Sequence, residues 1–369
     1  MTKPTALNRI FTLDLLRGYF LLVIILNHLH YYPSGLEWIT GQSFLYTSTA
    51  EGFFLISGIV LGMVRGAKLL KKPFSIAAKL LLKRGFQLYV TSIVLVFIFT
   101  LFGWLFVNDP GVKFGVYQPV GNFLDMIWQT ISLQYTYGWA DYLRLYAIFI
   151  IASPLALWLL RKGWWYILLG ISVLIWALYP LSPFPAGTLS QPISWQLVFF
   201  IGFIIGFHWQ AITAWWQRVA ARRKTISIRT ILTVTAITLV ANVLLVFGHN
   251  IPGIGETLAA VNAGLGPFVN KDQLPLPRLL LFGLWFTALY ILFTRFESSI
   301  RKYAGWLLLP FGTNSLYVYT VQAFVVFFVM LIFNQESDVW LINLLISLVA
   351  VGLIYLAVRT KFLMKIIPR

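Results

Sequence analysis

Ten apolar runs, most of them long enough to cross a bilayer, follow one another along this chain of 369 residues. They cover roughly 12–32, 43–64, 85–107, 142–161, 164–181, 195–209, 230–248, 277–294, 305–333 and 339–358. A spanning helix needs about 20 predominantly apolar residues. Charged residues make up only 11% of the chain, less than half the roughly 25% of a soluble domain. The runs therefore predict an all-α, polytopic integral membrane helix bundle with about ten transmembrane helices. They are continuous, unlike the alternating ten-residue strands of an outer-membrane barrel. The run at 305–333 is long and contains Pro310-Phe311-Gly312, where a break or tilt is expected. The aromatic-rich stretch 122–139 is too polar to span and reads as an interfacial segment. No repeat, low-complexity tract or soluble insert divides the chain, so residues 1–369 read as one transmembrane domain. The first run carries Asp14 and Arg17 and no small-residue cleavage site follows it, which predicts a retained helix and not a signal peptide.

The net charge of +17 invites nucleic acid as a partner. The placement of the charges argues otherwise. With the N-terminus inside, 24 of the 28 basic residues fall on the inner side. Only Lys113, Arg144, Lys271 and Arg278 lie outside, while nine of the 11 acids lie outside or in the outer half. That bias is the positive-inside pattern and predicts both termini in the cytoplasm. The expected surroundings are membrane lipid, with no nucleic acid. The chain has no cysteine, which excludes disulfides, thiolate nucleophiles and cysteine-ligated metals. No metal site is read from the sequence.

Ionisable groups within spans are costly and mark functional sites by default. Arg17 and His28 are 11 residues apart, about 20° past three helical turns and about 16 Å along the axis. Asp14 lies within about 40° of the same line and three residues from Arg17, close enough to pair. His30 points elsewhere. The alternative is snorkelling of Arg17 and His28 to opposite interfaces, but the groups face one way and do not scatter. In "AEGFFLISGIVLG" (50–62), Glu51 lies in the outer half, at a depth comparable to His28. Ser57, Gly58 and Gly62 allow close approach of a ligand or of another helix. The basic segment 65–89 carries Lys83 and Arg84 at the entry of the third span, with Tyr89 a turn further in. Such a cluster suits anionic lipid or the phosphates of a nucleotide or coenzyme. On the outer side Arg144 is not explained by topology. It pairs with Asp141 or contacts a carboxylate-bearing or sugar ligand. Trp139, Tyr142 and Trp195 suit sugar stacking as well as an aromatic belt. Gln196, Asn314, Ser315 and Gln322 add polar groups inside or near spans.

Asp14-x-Leu16-Arg17-Gly18, with ten residues between Arg17 and His28, resembles the first-helix motif of the membrane acyltransferase-3 superfamily. "FFLISG" (53–58) resembles its second-helix motif, and "LLKRGFQLY" (81–89) its basic third-helix entry. "LRLYAIFIIASPLAL" (143–157), "ISWQLVFFIGFIIG" (193–206) and "GTNSLYVYTVQ" (312–322) resemble the OpgC-type branch, the succinyltransferases of osmoregulated periplasmic glucans. Gln322 stands where many broader members carry a histidine, which fits that branch better. The resemblance implies a multi-pass protein of the bacterial inner membrane. Its activity would be to move an acyl group, succinyl or acetyl, from cytoplasmic acyl-coenzyme A to a hydroxyl of an extracytoplasmic carbohydrate. It matches the catalytic histidine to His28 and the first-helix arginine and aspartate to Arg17 and Asp14.

On this reading His28 is the general base, or forms an acyl intermediate, and Glu51 orients its imidazole. Lys83 and Arg84, with Arg17, hold coenzyme A phosphates, while Tyr89 and Ser57 line the donor path. Arg144, Asp141 and Trp195 face the acceptor. Asn314, Ser315 or Gln196 supplies a donor to the oxyanion. The rival readings are a transporter or flippase of an anionic lipid or sugar, disfavoured by the lack of a repeat, and a structural subunit whose charges merely pair.

Overall fold

A backbone in hydrocarbon must satisfy its own N–H and C=O groups, so each apolar run becomes a helix. The computed structural model describes residues 10–107, 109, 123–139, 141–184, 189–333, 336–364 and 367. Lys3, Arg9, Lys113, Lys365 and Arg369 of the charge pattern lie outside the described residues. In order, the helices are α1 (Phe11–Leu29), α2 (Glu37–Thr40), α3 (Thr49–Leu61), α4 (Phe74–Leu105), α5 (Phe123–Ile131) and α6 (Asp141–Arg161). Then come α7 (Trp165–Ala177), α8 (Gln191–Phe207), α9 (Trp209–Arg218), α10 (Ala221–Phe247) and α11 (Gly255–Leu265). The last are α12 (Leu276–Arg295), α13 (Glu297–Tyr303), α14 (Gly305–Thr313), α15 (Ser315–Phe333) and α16 (Trp340–Thr360).

Among the described residues, eight helices are long and apolar enough to cross a membrane. The count becomes nine if α8 and α9, bent by 68° at their break, form one span. A tenth is reached only by adding α7, which is apolar but has 13 residues, about 20 Å. The expected run at 164–181 is shortened because Pro180 cannot donate to a continuing helix, and the chain tightens into a 3₁₀ turn at Tyr179–Leu181. The run at 305–333 does break, but not at its proline. Pro310 sits inside α14, and the helix is interrupted at Asn314, where φ is −113° and ψ is 34°.

Small residues set the closest helix contacts. A Cβ on Gly18 of α1 would strike the Leu308 carbonyl of α14, and one on Gly312 would strike the Asp14 carbonyl of α1. Helices α3 and α8 interlock in the same manner. Gly58 and Gly62 abut the carbonyls of Phe199 and Phe203, while Gly202 and Gly206 abut those of Leu55 and Ile59. Without a hydrophobic drive between helices in lipid, such backbone-to-backbone approach supplies the dispersion contact that holds them. Helix α1 is central, packing on α3, α12, α14 and α15. By contrast α10 lies at the edge, with most of its apolar side chains exposed.

The stretch expected at the interface packs back along α4. Phe123 packs beside Trp104, with ring centroids 6.3 Å apart, and Tyr89 donates to the Ile131 carbonyl at 2.8 Å. Helix α5, nine residues and about 13 Å long, therefore runs back along α4, from the level of Trp104 toward that of Tyr89. The chain then returns, with Tyr135 at 3.3 Å from Thr100 and Gly138 against Phe99. The segment is a hairpin packed along α4. Tyr89 of α4 and Arg144 of α6 satisfy its carbonyls at Ile131 and Leu133.

Candidate functional site

The last turn of α1 meets the hairpin and α15. There His28 is half-buried. Its Nδ1 lies 3.3 Å from Oε1 of Gln322 on α15. The ring of Trp139 stands 6.1 Å from the imidazole, centroid to centroid, at 49°. Asp141, the first residue of α6, and Lys271, in the turn before α12, lie within electrostatic reach of His28. One turn before Gln322, Tyr319 donates to Asp141 Oδ1 at 3.3 Å. Its ring lies 5.1 Å from that of Tyr142, which stacks on Phe54 of α3 at 4.1 Å. Trp195 of α8 meets the other side of Phe54 at 5.4 Å. Five helices thus converge on one polar and aromatic interior, with the His28 imidazole at its edge.

The structure does not bring Glu51 to this imidazole. Glu51 is fully buried, and its Oε1 takes the Arg278 guanidinium, at 2.7 Å from Nε and 2.6 Å from Nη2. Its Oε2 accepts from the Ser48 amide at 2.9 Å and from the Ser48 hydroxyl. Ser48 and Glu51 form the capping box that starts α3. The role of Glu51 in this geometry is to join that helix start to α12. Arg278 also donates to the Val269 carbonyl at 2.6 Å, so the pair fixes the turn that carries Lys271. Ser194 and Trp176 grip the same turn, donating to the carbonyls of Asp272 and Leu274 at 2.5 and 2.9 Å.

A family model described as OpgC protein matches residues 9–366. The chain belongs to the OpgC protein family. No curated protein and no solved structure matches it. This OpgC-family chain is a multi-pass helical membrane protein.

The remaining predicted positions of the OpgC-family chain divide by surroundings. Arg17 does not make its contact with Asp14. Its guanidinium carbon lies 5.8 Å from the centre of the Phe53 ring, and its Nε has no hydrogen-bond partner among the described residues. Asp14 instead lines the α1–α14 contact through its carbonyl, against Gly312. Ser57 is buried on the α3 face between Phe53 and Phe54, and its hydroxyl has no partner among the described residues. Arg144 is fully buried and donates to the Leu133 carbonyl at 3.1 Å, bracing the hairpin. The Trp195 ring is buried and its Nε1 has no partner among the described residues.

Other side chains are engaged in holding helices. Gln196 donates to the Ser172 carbonyl of α7 at 2.7 Å, and Tyr89 holds the hairpin. Asn314 donates to the Pro310 carbonyl at 3.0 Å, satisfying the end of α14. Ser315 opens α15. At the opposite end of the bundle from His28, Arg84 is half-buried and Lys83 exposed. Arg65 and Tyr146 lie within electrostatic reach of Arg84. Two like charges held near each other there suit an anionic ligand. No group of three metal-ligating side chains occurs among the described residues.

The sequence alone did not combine Arg278 with Glu51, and it offered Gln322 as one of several polar groups near spans and as a departure from a pattern, not as a partner of His28. A signal for the first was present, since Ser48-Thr49-Ala50-Glu51 is a capping-box sequence before an apolar run. The Arg278 partnership had no local signal, because 227 residues separate the two.

Proposed function

We propose that this protein is a membrane O-acyltransferase of the bacterial inner membrane. It takes succinyl or acetyl from cytoplasmic acyl-coenzyme A and passes it to a hydroxyl of an extracytoplasmic carbohydrate. One observation carries the reading: in a chain of the OpgC family, a half-buried histidine stands in a polar, aromatic interior with Nδ1 against an amide oxygen. In that arrangement His28 Nε2 accepts the proton of the acceptor hydroxyl. The freed oxygen attacks the thioester carbonyl, the carbon–sulfur bond breaks, and the thiolate takes up a proton as coenzyme A leaves. Arg65 and Arg84 receive the phosphates of the donor at the inner mouth. Arg17 and Ser57, each with a polar atom unpartnered among the described residues, hydrogen-bond the donor's amide-bearing arm where it enters the bundle. Trp139, Asp141 and Lys271 face the carbohydrate.

Release of free thiol from acetyl- and succinyl-coenzyme A by the detergent-purified protein tests the reading. His28→Ala is expected to bind coenzyme A as the wild type does and to lose thiol release by about 10²–10⁴-fold, the usual worth of a general base. Arg84→Ala is expected to weaken coenzyme A binding. Folded wild-type protein that fails to bind coenzyme A at millimolar concentration, or a His28→Ala variant that turns over normally, overturns it.

A further inference from the structure

We propose that Gln322 is the positioning residue of His28, fixing the imidazole with its proton on Nδ1 and its lone pair on Nε2. The side-chain oxygen of a glutamine only accepts hydrogen bonds. At 3.3 Å from His28 Nδ1 it is satisfied only when that nitrogen carries the proton. A neutral imidazole has one N–H, so Nε2 is left as the acceptor. Gln322 has no solvent exposure, so water does not compete for its amide oxygen. The ring is confined on another side by Trp139. Tyr319, one turn earlier on α15, is itself tied to Asp141, so α15 is anchored to the mouth of α6 at this level.

A second observation points the same way. The Gln322 Nε2 is buried with no hydrogen-bond partner among the described residues. A buried amide N–H left unmade is costly, so packing alone does not account for a glutamine here. A leucine or methionine would fill the volume without that cost. The contact of its amide oxygen with the imidazole is what a glutamine supplies at this position and an apolar side chain does not.

The inference takes its turnover readout from the acyltransferase reading and has a second readout that does not depend on it. Gln322→Met keeps the length and removes the acceptor, while Gln322→Glu keeps an acceptor and removes the donor. In steady-state thiol release, Gln322→Met is expected to lower kcat by about 10–100-fold, the size seen when a metal-bound histidine loses the hydrogen-bond partner of its other ring nitrogen. The KM for acyl-coenzyme A should stay close to the wild-type value, and Gln322→Glu should recover most of kcat. The second readout is the rate at which diethyl pyrocarbonate modifies each of the four histidines, followed by mass spectrometry. Modification of His28 is expected to slow in Gln322→Met and not in Gln322→Glu, with His30, His208 and His249 unaffected. Wild-type kcat in Gln322→Met overturns the proposal, as does a folded Gln322→Glu as impaired as Gln322→Met in both readouts. If wild-type protein releases no thiol, the acyltransferase reading fails by itself, and the His28 modification rates still decide the role of Gln322.

Discussion

Glu51 and Arg278 put two opposite charges into the bundle with 0% and 4% exposure. Taking either ion out of water is expensive, and the pair offsets this only while both partners and their remaining hydrogen bonds are in place. Both are: Ser48 covers the second carboxylate oxygen and the Val269 carbonyl takes another guanidinium N–H. Arg278→Met is therefore expected to cost about 3–5 kcal/mol, because it strands a buried carboxylate. The double variant Glu51→Gln/Arg278→Met should be much less unstable than the sum of the single variants. Thermal unfolding in detergent of all four proteins gives the coupling; strictly additive losses would show that the two residues do not stabilise each other. At this scale the sequence was legible where chemistry is local. The sequence marks Arg17, His28 and Glu51 as ionisable groups within apolar runs, and Glu51 is fully buried. Their partners are long-range, and no spacing rule pairs Glu51 with residue 278 or His28 with residue 322.

The elements are held by glycines whose positions carry a period. Gly58 and Gly62 face Gly202 and Gly206, each pair four residues apart, so that α3 and α8 meet backbone to backbone. A side chain at Gly206 would drive into the Ile59 carbonyl. No rotamer change relieves a clash with backbone, so Gly206→Leu is expected to destabilise by about 3 kcal/mol or more and to reduce monodisperse yield. Gly170→Leu and Gly352→Leu have open space around the added carbon and serve as controls expected to behave as wild type. Equal behaviour of all three variants in size-exclusion and thermal-melt assays would mean that the α3–α8 seam is looser than described. The seam was readable as a choice between ligand approach and helix packing at Gly58 and Gly62, and packing is what those glycines do. The hairpin at 123–139 was not readable. Its composition is intermediate between span and loop. What lowers it along α4 is a set of tertiary bonds, from Tyr89, Thr100 and Arg144, that no local hydropathy records.

For the whole molecule, function depends on sidedness. The proposed reaction needs the His28 end of α1 outside and the Arg84 region inside, and the charge distribution supports that assignment. The absence of cysteine makes this directly testable, since any introduced thiol is the only one. Lys72, between α3 and α4, and Lys271, before α12, are both exposed. Lys72 lies at the Arg161 end of α6, which donates to its carbonyl at 3.0 Å. Lys271 lies at the other end of the bundle, near His28. In intact cells whose outer membrane is made permeable, a membrane-impermeant maleimide is expected to label Lys271→Cys at once. Lys72→Cys should react only after the inner membrane is opened. The reverse pattern would place His28 on the cytoplasmic side. The imidazole would then stand on the same side as the acyl donor, and acceptor and donor would no longer need to meet across the bilayer. Transfer to an extracytoplasmic carbohydrate would be untenable in that orientation, whatever the purified protein did with acyl-coenzyme A. Sidedness and thiol release are therefore separate requirements, and the proposed activity needs both.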